Sequence, residues 1–186
     1  MREYEFTLKF KLPDSNIDPD IYIEKLYESG CDDALIGTGK KGYIGLNFIR
    51  ESSSAYEAVA SALRDVKKAI PQASLVEASP DFVGVTDVAN LLGYTRQNIQ
   101  KLISKDNSNC PSAVYGGAQS IWHLAEILAW LVENKEYSID ESLVEIANIT
   151  MNLNLAKQSE MLDPKLQKDF KTLVASKWLG EPVILT

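Results

Sequence analysis

Apolar and polar residues alternate from Tyr4 to Leu12, placing Tyr4, Phe6, Leu8, Phe10 and Leu12 on one face. A period of two is the mark of a strand buried on one side. Pro13 and the run Asp14-Ser15-Asn16 end it. Asp18 followed by Pro19 gives an N-cap and a proline at the first helical position. The helix it opens carries Ile21, Ile23, Leu26 and Tyr27 and stops at Gly30, a residue suited to a C-cap. Two short apolar runs, Ala34–Ile36 and Tyr43–Ile49, flank Gly37-Thr38-Gly39-Lys40-Lys41-Gly42 and predict a hairpin. Ser52 to Ser54 offer caps for a second helix, in which Ala55, Val59, Ala62, Leu63, Val66 and Ile70 recur at helical spacing. Pro71 breaks that helix, and Ala73–Glu77 predicts a last strand.

The element order is therefore βαββαβ, which fits a ferredoxin-like α+β layer over residues 1–79. Such a layer hosts many functions and selects none. Ser79-Pro80-Asp81 marks a boundary, because helical periodicity replaces β alternation after it. Residues 139–157 carry Ile139, Leu143, Ile146, Ile149 and Leu153 at helical spacing. Residues 164–179 do the same with Leu166, Phe170, Leu173, Val174 and Trp178. Three segments are expected: 1–79, 80–135 and a helical extension over 136–186.

The middle segment carries the functional signal. Thr86 is read as the N-cap of a short helix, Asp87 to Leu92, with Val85, Val88, Ala89 and Leu92 inside. Gly93 supplies a tight turn. Thr95 caps a second helix, Arg96 to about Lys105, whose inner face is Ile99, Leu102 and Ile103. Small Ala89 lets the two helices approach closely. Outward from the second helix point Arg96, Gln97, Asn98, Gln100, Lys101 and Lys105. Arg reads guanine, Asn and Gln read adenine, and Lys holds phosphate. Thr86 and Thr95, at helix N-termini, can cap and also touch a phosphate.

The stretch Val85-Thr86-Asp87-Val88-Ala89-Asn90-Leu91-Leu92-Gly93-Tyr94-Thr95-Arg96-Gln97-Asn98-Ile99-Gln100-Lys101-Leu102 resembles the winged helix-turn-helix regulators of the MerR, AlpA and excisionase group. Tyr115–Trp122 is similar to that group's hairpin wing and following strand, and Leu124–Val132 to the helix after it. The resemblance covers residues 82–135. It implies that Arg96, Gln97, Asn98 and Lys101 occupy recognition-helix positions and that Tyr115 to Gln119 form the wing. It also implies a transcriptional regulator that binds double-stranded DNA as a homodimer and needs no cofactor. This wing has no Arg or Lys at its tip.

Charge complicates that expectation. The chain of 186 residues has a net charge of −7, whereas phosphate binding draws on Lys and Arg. Residues 80–135 carry 4 basic and 5 acidic side chains, so DNA binding would rely on a local face. An alternative follows: an adaptor or antitoxin-like partner of another protein, with the helix-turn-helix as scaffold and the C-terminal helices docking. Those helices are equally suited to a dimer contact or to packing back on the N-terminal segment.

Other chemistry finds little support. Cys31 and Cys110 stand far apart with one histidine in the chain, too few soft ligands for a zinc site. They read as free thiols of a reducing compartment, and with no apolar run near 20 residues the chain is expected in the cytoplasm, away from membranes. The glycine-rich run 37–42 lies between strands and lacks P-loop spacing. Asp32 and Asp33 read as solvated, His123 as a helix-start residue and Trp122 and Trp130 as core anchors. No nucleophile elbow or dinucleotide fingerprint is present, and no enzyme is expected.

Overall fold

The computed structural model describes residues 1–104, 109–133 and 139–175. It is a mixed α+β structure with two antiparallel sheets. The chain divides into two compact units, Met1–Asn154 and one beginning at Leu155.

In the first unit, β1 (Arg2–Lys11) is the strand buried on one face that the alternation predicts: Tyr4, Phe6, Leu8 and Phe10 are all buried. A 3-10 turn over Pro19–Tyr22, capped by Asp18, leads into α1 (Ile23–Glu28). Strands β2 (Ala34–Gly37) and β3 (Tyr43–Ser52) form the expected hairpin, and α2 (Ala55–Ala69) follows with Ser54 Oγ accepting from the Glu57 amide. β4 (Ser74–Ser79) closes a sheet of order β2-β3-β1-β4. Register pairs Phe6 with Phe48 across β1 and β3, and their rings stack at 5.2 Å. The buried face of α2 is built on Ala55, Ala58, Ala62 and Ala69, small residues that let a helix lie close to a sheet.

The second sheet, β5-β7-β6, joins β5 (Phe82–Val83), β7 (Ser120–His123) and β6 (Tyr115–Gly116). Around it lie α3 (Val85–Leu91), α4 (Arg96–Ile103) and α5 (Leu124–Glu133). Their core holds Val88, Ala89, Ile99, Trp122, Leu128 and Trp130. The helix α6 (Glu141–Ser159) contributes to both cores of this unit: Ile146 enters the first and Ala147 the second. Asn154 fixes it further. Its amide accepts from the Ala78 N–H at 2.9 Å and donates to the Ala78 carbonyl at 2.7 Å, pairing with β4 as a neighbouring strand would.

Two polar clusters change or extend the sequence expectation. Asp33 is not simply solvated; it receives Arg50 Nε at 2.7 Å and Nη2 at 2.9 Å. Arg50 also donates to Asp65 at 2.8 Å, Ser61 at 3.0 Å and the Gly30 carbonyl at 2.6 Å. Burial works to lower the Arg50 pKa, but the hydrogen bonds and charges of Asp33 and Asp65 outweigh it and raise it. His123 directly precedes α5, as expected of a helix-start residue, and the fold adds a partner to it. It is buried with Nδ1 2.6 Å from Asp81 Oδ1, while Asp81 Oδ2 accepts from Asn154 at 2.7 Å.

Cys31 is buried, and burial, reinforced by Asp65, pushes its thiol up to about 11. A raised folded-state pKa means the folded chain holds the proton more tightly. That stability is fully present below the unfolded value near 9 and is lost as pH rises through about 11. Urea unfolding from pH 8 to 11 should show this decline, and Cys31→Ala should flatten it. An equal decline in the variant would assign it to other groups.

The second unit contains the end of α6 and α7 (Pro164–Ala175). Asp163 Oδ1 accepts from the amides of Lys165 and Leu166, which starts α7. Residues 176–179, the end of the helix expected over 164–179, lie outside the described residues. Among the described residues, no helix is long and apolar enough to cross a membrane.

Candidate nucleic-acid interface

The pair α3 and α4 is set by its turn. Gly93 has φ +68°, the left-handed conformation that glycine adopts without strain. The Tyr94 amide then reaches back to the Ala89 carbonyl at 2.9 Å and closes α3. Thr95 caps α4 as expected, its hydroxyl accepting from the Asn98 amide at 3.2 Å.

The expected cap of α3 is corrected. The helix begins at Val85, with Gly84 as N-cap, and Asp87 Oδ2 accepts from the Gly84 amide at 2.8 Å. Thr86 therefore lies inside the first turn with its side chain exposed, not at the cap. Asp87, at the third helical position, reaches back to the N-cap amide, and the helix starts two residues before the position a Thr86 cap would set.

Along α4, Ile99 is 2% exposed and anchors the helix, while Leu102 and Ile103 are half-buried. Arg96, Gln97, Asn98, Gln100 and Lys101 are all exposed. The described helix ends at Ile103 with Ser104 as C-cap, short of the expected end at 105; Lys105 lies outside the described residues. Gln100 Nε2 donates to Ser104 Oγ at 3.0 Å across the last turn.

The hairpin β6–β7 stands beside this face. A groove of about 510 Å³ runs between them, lined by Thr86, Arg96, Gln100 and Gln119 from the predicted set. Asp87, Ser104 and Trp122 also line it, and sequence reasoning had not placed them there. Trp122 is fixed by its indole N–H, which donates to the Pro111 carbonyl at 3.0 Å. A second depression gathers Arg96, Gln97, Gln100 and Lys101. Tyr115 is exposed and stands outside the lining of both; its ring occupies the space a Cβ on Gly117 would need. The hairpin thus needs glycine at 117 to hold the tyrosine in this pose.

The surface offers planar amides, one guanidinium and one ammonium on a rigid helix, next to a groove with an acidic member, Asp87. Such a surface can accept and donate hydrogen bonds to base edges and hold phosphate at two points. Among the described residues, no group of three or more His, Cys, Asp or Glu gathers into a metal-binding set. Comparison with protein families, curated proteins and solved structures finds no match to this chain.

Proposed function

We propose that this protein binds a specific double-stranded DNA site as a transcriptional regulator, with α4 in the major groove and the β6–β7 hairpin as wing. The observation that carries the reading is the sidedness of α4. Five polar side chains, Arg96, Gln97, Asn98, Gln100 and Lys101, stand exposed on a helix anchored by buried Ile99. A helix of this kind meets base edges with residues near its N-terminus. The succession α3, Gly93 turn, α4, hairpin and α5 supports a winged helix-turn-helix of the MerR, AlpA and excisionase kind over 80–135. The strand order β2-β3-β1-β4 supports a ferredoxin-like layer over 1–79. The reading assigns no catalytic residue and no cofactor, and two copies would address two half-sites.

Asn98→Ala tests it. The Thr95 cap uses the Asn98 backbone amide, so the variant keeps the helix start. It should lose discrimination at one base pair, on the order of tenfold, with the rest of the site preference unchanged. A selection from random duplexes reads this directly. An unchanged preference at every position would remove Asn98 from the base-reading set.

The net charge of −7 favours a second reading, an adaptor or antitoxin-like partner that uses the same scaffold to hold another protein. That reading expects no duplex retention at any salt concentration.

A further inference from the structure

The sheet β2-β3-β1-β4 buries one face only. The odd-numbered residues of β1, β2 and β3 point away from the core, and none of them is buried. On this open face the charges are sorted along the strands. Glu3, Glu5 and Glu51 stand at one end, Lys9 and Lys11 at the other. Glu77 also lies at the basic end, where it bridges Lys9 at 2.9 Å, and Lys40 stands over the Tyr43 ring there. Glu3 and Glu51 are directly opposed in register, and like charges so placed destabilise a sheet.

Between the two ends a pair of strand glycines face each other, Gly37 on β2 and Gly45 on β3. Neither has a positive φ. A Cβ added to either would make ordinary contact, its nearest atom 3.7 Å away at Gly37 and 4.0 Å away at Gly45. The chain's own packing therefore does not require glycine at either position. Glycine inside a strand weakens it and often marks a place where another chain approaches closely. On the same face Leu35 is 77% and Ile49 54% exposed.

We propose that a second copy of this chain covers this face, the two sheets stacked about a two-fold axis that crosses the strands along the row Leu35, Asn47 and Thr7. Such an axis reverses the strand direction, so each acidic end lies over a basic end. Two residues from the row, Glu5 meets the partner's Lys9, and Ile49 enters the gap above the partner's Gly45. Four residues from it, Glu3 meets the partner's Lys11. There Glu51 meets the partner's Tyr43 and the partner's Lys40. An axis parallel to the strands would instead lay acidic end on acidic end. Charge order and the spacing of knob and gap thus select the same register independently. Stacked sheets lie about 10 Å apart with their strands nearly aligned, a separation that facing side chains fill.

Self-association of the free protein does not depend on what α4 binds. Its failure would leave the DNA reading standing, and the reverse holds too. Sedimentation velocity of the full chain without DNA, from about 1 to 200 µM, reads the outcome. The wild type should pass from monomer to dimer. Gly45→Val should keep or raise the melting temperature, because a β-branched residue suits a strand. It should nevertheless weaken the dimer on the order of 100-fold by filling the gap at two symmetric sites. Glu3→Lys should weaken it about tenfold by facing the partner's Lys11 with a like charge. Adding Lys11→Glu to Glu3→Lys should restore the dimer, because the opposing charges are exchanged in register.

A wild type that stays monomeric throughout would overturn the proposal. A dimer unaffected by both Gly45→Val and Glu3→Lys would place the interface elsewhere and equally overturn it. Failure of the exchange to restore the dimer would overturn the register. A melting temperature lowered by Gly45→Val would return that glycine to the chain's own fold and overturn the fit of Ile49 above it.

Discussion

Replacing both Arg96 and Lys101 with alanine should lower the affinity for a preferred duplex by on the order of 100-fold at physiological salt. A guanidinium that bonds a guanine edge at two points contributes about 1–3 kcal/mol of discrimination, and an ammonium on a phosphate adds a salt-dependent part. Both side chains are exposed on α4, and neither supplies the helix start, which rests on Thr95. The melting temperature should stay where it is. The two changes should also separate in kind. Arg96→Ala alone should relax sequence preference, whereas Lys101→Ala alone should weaken all duplexes alike and reduce the log-log salt slope by about 1. Fluorescence anisotropy across a salt series measures both. Affinity unaltered in the double variant would remove α4 as the recognition element.

The largest stability effect is expected at Arg50. Its guanidinium, with a side chain 10% exposed, satisfies Asp33, Asp65, Ser61 and the Gly30 carbonyl together. Arg50→Ala would leave two mostly buried carboxylates facing each other without a cation. Removing one partner of a buried pair costs about 3–5 kcal/mol. The partial exposure of Asp33 and Asp65, 29% and 27%, sets the expectation near the lower end, about 3 kcal/mol. Urea denaturation followed by circular dichroism reads the change. A loss below about 1 kcal/mol would mean that water substitutes for the guanidinium with little penalty.

What the sequence revealed depended on distance along the chain. β1 was legible because its own alternation encodes its buried face, and α2 because its apolar positions repeat every third or fourth residue. The Thr95 cap and the Gly93 turn were legible for a similar reason: each acts on residues within three or four positions. The polar clusters were not. Asp33 meets Arg50 across 17 residues, His123 meets Asp81 across 42, and Asn154 meets Ala78 across 76. No local pattern distinguishes a carboxylate that will be paired by a distant strand from one left in water. Two-residue β5 is too short to show a period. The start of α3 shows the finer limit, since Thr86 and Asp87 are both competent capping residues. Only the reach of the Asp87 carboxylate to Gly84 decides between them.

The same holds for the candidate site. Arg96, Gln97, Asn98, Gln100 and Lys101 could be placed on one outward face from helical spacing alone. The groove that sets Arg96 and Gln100 opposite Gln119 depends on where the hairpin packs. Spacing along the chain does not encode that placement, which is why Asp87 and Trp122 entered the site only through the fold.

The most direct test of the central proposal is retention of short duplexes from a random pool by the purified full chain, titrated across salt. The account predicts that a few related sequences are retained, with a shallow log-log salt slope reflecting the few cations on α4. Absence of retention even at low salt would contradict it and leave a protein partner as the better reading of this surface.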